Sequence, residues 1–217
     1  MDDRVLALCE LSNDMLFHKI PQAQLPQYVD ESLAAGKEAA QALAGRDILD
    51  LYRESGIAIQ EKPSGKGQFG VILRGQATLS KEGCQVEVYQ ESIQALADHS
   101  GGAGEPPLSF EEAFRVHLAH EYFHFLEYQR GKTVAEELPD VVTLTFLGFQ
   151  RKAKINRCSE VAAHAFAQTL LGLPHLPNLY DYRYLLDTGA MTQEAFEGLI
   201  GKMEAALDGA EEKKEER

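Results

Sequence analysis

The sequence predicts an α+β fold: a small sheet of about three strands packed on one long helix, with further helices before and after it. Three patterns lead there. Apolar residues recur at helical spacing near both ends, strand-like segments cluster between turn residues in the first half, and a capping box opens a long helix at Ser109.

In chain order, residues 6–17 and 28–54 carry the helical spacing, interrupted by Pro21 and Pro26, and Gly56 ends the second helix. Residues 57–60, 69–74 and 86–90 read as strands, and in the last of these Val86 and Val88 alternate with Glu87 and Tyr89. The gaps hold turn chemistry, Pro63-Ser64-Gly65-Lys66-Gly67 and Lys81-Glu82-Gly83. Residues 92–98 suit a helical turn, and the Gly- and Pro-rich residues 100–107 suit a loop. Ser109 and Glu112 then satisfy each other's backbone donors as an S-x-x-E box. Phe114, Leu118, Tyr122, Phe125 and Leu126 carry that helix to about Gln129, and Gly131 stops it. A second helix is expected from Ser159, as its cap, to Leu171, with Gly172 and Pro174 beyond. Residues 180–186 and a helix from Thr192 to about Leu207 complete the scaffold. The expected organisation is N-terminal helices over 1–55, a core over 56–176, C-terminal helices over 177–207 and a charged, frayed tail over 208–217.

Composition excludes several classes of function. With 34 acidic against 21 basic residues, the net charge of −13 repels phosphate backbones and anionic surfaces, so neither nucleic acid nor membrane is an expected partner. The longest apolar-looking stretch, residues 141–149, falls well short of the roughly 20 residues a membrane span needs. Met1-Asp2-Asp3-Arg4 lacks the basic start of a signal peptide, and Cys9, Cys84 and Cys158 form no CxxC pair. A cytoplasmic protein with unpaired thiols is the expectation.

The chemistry lies in His120-Glu121-Tyr122-Phe123-His124, an H-E-x-x-H sequence inside the capped helix. Four residues advance a helix by about 6 Å and turn it by about 400°, so both imidazoles leave one face and can reach a single ion at roughly 2.0–2.1 Å. Glu121 stands beside the open position of such an ion, where it can take a proton from water. With 7 histidines in the chain, about 0.02 chance occurrences of this pattern are expected, so the match carries weight. A catalytic zinc needs a third protein ligand, and Glu160 is the best candidate. It opens a helix rich in alanine at 162, 163, 165 and 167, and such small side chains allow close approach to the H-E-x-x-H helix, bringing the short carboxylate arm within reach of a metal there.

Together, His120-Glu121-x-x-His124 and Glu160-x-x-Ala163-x-x-Phe166-Ala167-x-x-Leu170-Leu171, followed by Pro174, resemble the ImmA/IrrE family of gluzincin-type zinc peptidases. The resemblance covers roughly residues 57–174 and identifies the chain as a divergent relative, with Ala162 and His164 flanking the motif alanine where the family usually carries acidic or amide side chains. It implies a zincin-like core, Zn²⁺ held by His120, His124 and Glu160, and Glu121 as general base. The implied activity is hydrolysis of a peptide or protein substrate, such as a regulatory protein. The alternative is a metal-bearing domain that binds partners without cleaving them.

Further residues stay open in role. His164, four residues after Glu160, is a fourth ligand, an oxyanion donor, a partner of Glu160 or a packed histidine; His117 raises the same choice. Tyr180 and Tyr182 are weaker oxyanion candidates, and Cys158 is a ligand or a packed thiol. Residues 86–90, as an exposed edge, offer pairing to a substrate strand. Arg151, Lys152, Lys154 and Arg157 form an acid-free +4 run expected to border the cleft, which leaves −17 for the remaining chain. The oligomeric state is not written in any motif.

Overall fold

The computed structural model describes residues 1–64, 73–102 and 104–215, the last four of these (212–215) by backbone alone. It is a mixed α/β structure, mostly helical, with small sheets of three and two strands. Helix α1 (Asp3–Leu11) starts at Asp2, whose carboxylate accepts the Arg4 N–H, and is buried along its whole second half. A helix buried on every side lies inside a core, and α1 does so between α2 (Leu25–Gln41), α7 (Arg157–Leu171) and α9 (Gln193–Glu215). It ends at Leu11, before the Phe17 expected, and 3-10 turns at Phe17–Lys19 and Gln22–Gln24 lead into α2.

The single helix expected over 28–54 is two. α2 stops at Gln41, Gly45 turns the chain with φ +77°, and Asp47 caps the new helix α3 (Ile48–Ser55), which Gly56 closes at φ +67°.

The main sheet contains β1 (Ala58–Lys62), β2 (Gly75–Ser80) and β3 (Gly83–Tyr89). β3 lies in the middle, parallel to β1 and antiparallel to β2. Residues 86–90 are therefore not an edge: Val86 and Val88 are fully buried in the central strand and β2 is the edge nearest the next long helix. Of the strand expected at 69–74, residues 69–72 lie outside the described residues, while Leu73 and Arg74 are irregular and the strand follows them. Helix α4 (Gln90–Asp98) extends the expected helical turn by two residues.

Helix α5 (Phe110–Arg130) has the expected ends. The Ser109 hydroxyl accepts the Glu112 N–H, Glu112 accepts the Ser109 N–H in return, and Gly131 closes the helix at φ +68°. A second capping box, Thr133 with Glu136, starts the short α6 (Val134–Glu137). A two-stranded hairpin of β4 (Val141–Phe146) and β5 (Phe149–Ala153) follows, an element not expected from the sequence.

Helix α7 begins at Arg157, two residues before the cap expected at Ser159. Ser159 is inside the helix, and its hydroxyl donates to Glu127 Oε1 at 2.8 Å instead of accepting an N–H at the helix start. Besides the expected packing on α5, its alanines serve a second contact. A Cβ on Gly36 of α2 would lie 2.0 Å from the Ala162 carbonyl oxygen and 2.9 Å from Ala165 Cβ, so α2 and α7 touch backbone to backbone. Helix α8 (Asn178–Asp187) precedes α9, which passes the end expected near Leu207 and is helical to Glu215, through most of the tail expected to fray. Among the described residues no helix is long and apolar enough to cross a membrane.

Candidate metal centre

Each residue of a helix turns about 100°, so residues 117, 120, 121 and 124 of α5 share the side that faces α7 and β2. The first turn of α7 brings Glu160 to that side. His120 Nε2 lies 3.3 Å from His124 Nε2 and 3.2 Å from Glu160 Oε2, and His124 Nε2 lies 3.7 Å from Glu160 Oε1. The three ligand atoms fall within 4.8 Å of one another, and the group could hold a metal ion. Two ligands placed about 2.0–2.1 Å from a tetrahedral ion stand about 3.3 Å apart, which is the spacing of the two imidazoles.

The tautomer of His124 also fits a cation. Its Nδ1 faces Glu127 Oε2 at 3.2 Å, and Glu127 is only 5% exposed. Burial opposes ionisation of Glu127, but bonds donated by His124, the Val134 N–H and the Ser159 hydroxyl hold its carboxyl below the usual range. An ionised carboxylate only accepts, so the His124 proton sits on Nδ1 and the Nε2 lone pair points into the cluster. Glu127→Gln offers Nδ1 an amide donor or forces the other tautomer. It is expected to lower metal affinity by about 10–100-fold in a competition titration, with unchanged affinity contradicting this account.

Protons compete for the same atoms. Burial pulls the His120 pKa down, yet the hydrogen bond and charge of Glu160, with Glu121 and Glu10 behind it, carry it up to about 9. Burial likewise opposes the charge on Glu160, and His120 and His124 hold its carboxyl far below the usual range. A cation entering the site displaces the His120 proton, so affinity rises with pH up to that value.

The other candidates divide. His120, Glu121, Glu160, His164 and His117 all line one cavity of about 670 Å³, whereas Cys158 is buried toward Ser32 of α2. Glu121 Oε2 accepts the Ala77 N–H of β2 at 3.0 Å, which ties this carboxylate to the edge strand. Gly75 lies beside it, where a Cβ would be 3.4 Å from Oε1. His117 donates Nδ1–H to the Ala113 carbonyl at 2.7 Å, and burial, partly offset by that bond, brings its pKa down to about 3. His164 is also kept neutral by burial; its ring stacks at a tilt 4.8 Å from that of His120, and its Nδ1 has no hydrogen-bond partner among the described residues. Tyr182 reaches the cavity, while Tyr180 is not among the cavity-lining residues.

Only one member of the basic run borders this cavity. Arg157 lines it and binds Glu10 Oε1 at 2.8 Å, while Lys154 bonds the Leu138 carbonyl at 3.0 Å and pairs with Asp140, and Arg151 and Lys152 stand on the hairpin. The structure adds residues that sequence reasoning missed. Glu10 arrives from α1, and Arg74 from the segment before β2, where it pairs with Asp181 of α8. No local signal marks them, because each reaches the cavity from a distant element. Glu127 was findable: an acid three residues after His124 shares its helix face.

Comparison with protein-family profiles, with curated proteins and with solved structures finds no match for the chain.

Proposed function

We propose that the chain is a zinc-dependent peptidase of the ImmA/IrrE type with a zincin-like core, in which His120, His124 and Glu160 hold the metal. The observation that carries this reading is the convergence of two imidazole nitrogens and one carboxylate at the spacing of a tetrahedral cation, with Glu127 orienting His124 from behind. Zinc bound in such a site supplies a Lewis acid for a scissile carbonyl and lowers the pKa of water toward about 7.

The remaining steps belong to the protein. Glu121, on the cavity wall and fixed by the Ala77 N–H, takes a proton from the attacking water and delivers it to the leaving amine. Because β3 is central, an extended substrate pairs with the outer edge of β2 in this reading. His164 and Tyr182 are the cavity-lining candidates for steadying the oxyanion.

The test compares zinc-loaded wild type with Glu121→Gln on a peptide pool, with a chelator control. The substitution is expected to lower cleavage at least about 100-fold while leaving bound zinc stoichiometric. Equal cleavage by both would remove Glu121 as the base. No cleavage by a zinc-loaded wild type would contradict peptidase activity and leave a metal-bearing interaction domain.

A further inference from the structure

No residue of the β4–β5 hairpin lines the cavity beside the candidate metal centre, and the hairpin has an uncovered apolar end. Val141 and Ile155 anchor its base in the core, but every residue from 142 to 152 except Thr143 is exposed. At the far end Phe146 is 66% exposed, Leu147 82% and Phe149 81%, with Leu144 following at 59%. Phe146 pairs with Phe149 and Leu144 with Arg151, so these side chains share one face.

The turn sharpens the point. Leu147 and Gly148 form a two-residue loop with φ +46° and +82°, a geometry that favours Asn-Gly. Leu147 is the only non-glycine residue with positive φ among the described residues. A bulky apolar side chain held there, against local preference and in water, marks a place where side-chain chemistry outweighs turn chemistry.

Charge is ordered along the same hairpin. Residues 141–157 contain no acid. Lys154 pairs with Asp140 and Arg157 with Glu10, while Arg151 and Lys152 have no acidic partner among the described residues. Arg151 lies on the apolar face, and Lys152, opposite Val142, on the other. At about 3.4 Å per residue these cations sit roughly 7–10 Å behind Phe149. An apolar element seated at a bilayer surface penetrates about 5–10 Å, which brings cations at that distance level with lipid phosphates.

We propose that the β4–β5 hairpin docks the protein on an anionic lipid surface, with Phe146, Leu147 and Phe149 entering the acyl boundary and Arg151 and Lys152 meeting the phosphates. This goes beyond the peptidase reading and does not depend on it. The net charge of −13 that argued against a membrane is not spread evenly. A stem of six residues extends about 20 Å, more than the Debye length of about 8–10 Å, so repulsion from the acidic body is screened at the tip.

The test is flotation of the full-length protein with vesicles of phosphatidylcholine alone or mixed with phosphatidylglycerol. Wild type is expected to float with the anionic vesicles and at least about tenfold less with the neutral ones. Combined Phe146→Ser, Leu147→Asn and Phe149→Ser should lower binding to anionic vesicles at least about tenfold, as should combined Arg151→Glu and Lys152→Glu. Leu147→Asn alone relaxes the turn, so it should weaken flotation without lowering the urea midpoint. The proposal is overturned by a wild type that does not float, or by tip variants that float equally well. It is also overturned if sedimentation shows a wild-type dimer that the tip variant dissociates, which would assign the face to a second copy.

Discussion

His120→Ala is expected to lower zinc affinity by about 10³-fold. Structural zinc sites bind with apparent free energies of about 10–16 kcal/mol, and removing one of three protein ligands forfeits about a third of that. Of the three proposed ligands His120 is in closest contact with both of the others, 3.2 Å from Glu160 and 3.3 Å from His124. Its loss also frees the half-buried Glu160 from the bond that holds its charge, so no arrangement of the two remaining ligands reproduces the site. Competition titration against a zinc chelator measures the loss, and circular dichroism of the metal-free variant checks the fold. An affinity within a factor of about ten of wild type would contradict the assignment.

Gly36→Ala is expected to destabilise the fold by about 3 kcal/mol, at the upper end of what overpacking costs. The new methyl would stand 2.0 Å from the Ala162 carbonyl oxygen, a backbone atom that no rotamer change can move. α2 and α7 must separate, and α7 carries Glu160. The urea midpoint should fall, and zinc affinity should fall with it, because the carboxylate moves while α5 stays in place. A loss of stability under about 1 kcal/mol would show that the contact is looser than this geometry states. Gly36→Ser should behave the same way, which separates the steric effect from any special property of alanine.

The local parts of this molecule were legible in its sequence. The Ser109 box, Gly131 and the four-residue spacing of His120 and His124 are each contained within a few residues, and the structure reproduces all three. Glu160 was reached through its place near the start of a second helix, although its separation of 40 residues from His120 is no spacing rule. Strand order was not legible. The alternation of Val86 and Val88 identifies a strand with one buried face, but nothing local says that Gly75–Ser80 pairs on its outer side.

The hairpin escaped for two physical reasons. A bulge between Val142 and Leu144 breaks the period of two, and its apolar residues face solvent, so no core pattern distinguishes them. Glu10 and Arg74 were invisible for a third reason. Both belong to the cavity only because α1 packs on α7 and Arg74 reaches Asp181 of α8, and no residue near them in sequence records that. The alanines of α7 carried a correct but incomplete signal: α7 packs on α5 and delivers Glu160 to it, and a second, backbone-to-backbone approach occurs at Gly36 of α2.

The central claim is that His120, His124 and Glu160 form one metal centre. X-ray absorption at the zinc edge, on protein loaded with one equivalent, tests it most directly. The account predicts stoichiometric binding and a first shell of nitrogen and oxygen only, at about 2.0–2.1 Å, with imidazole multiple scattering that His124→Ala diminishes. A sulfur scatterer at about 2.3 Å would place the metal on a cysteine, and failure to bind one equivalent would leave the three side chains as a hydrogen-bonded cluster; either result contradicts the assignment.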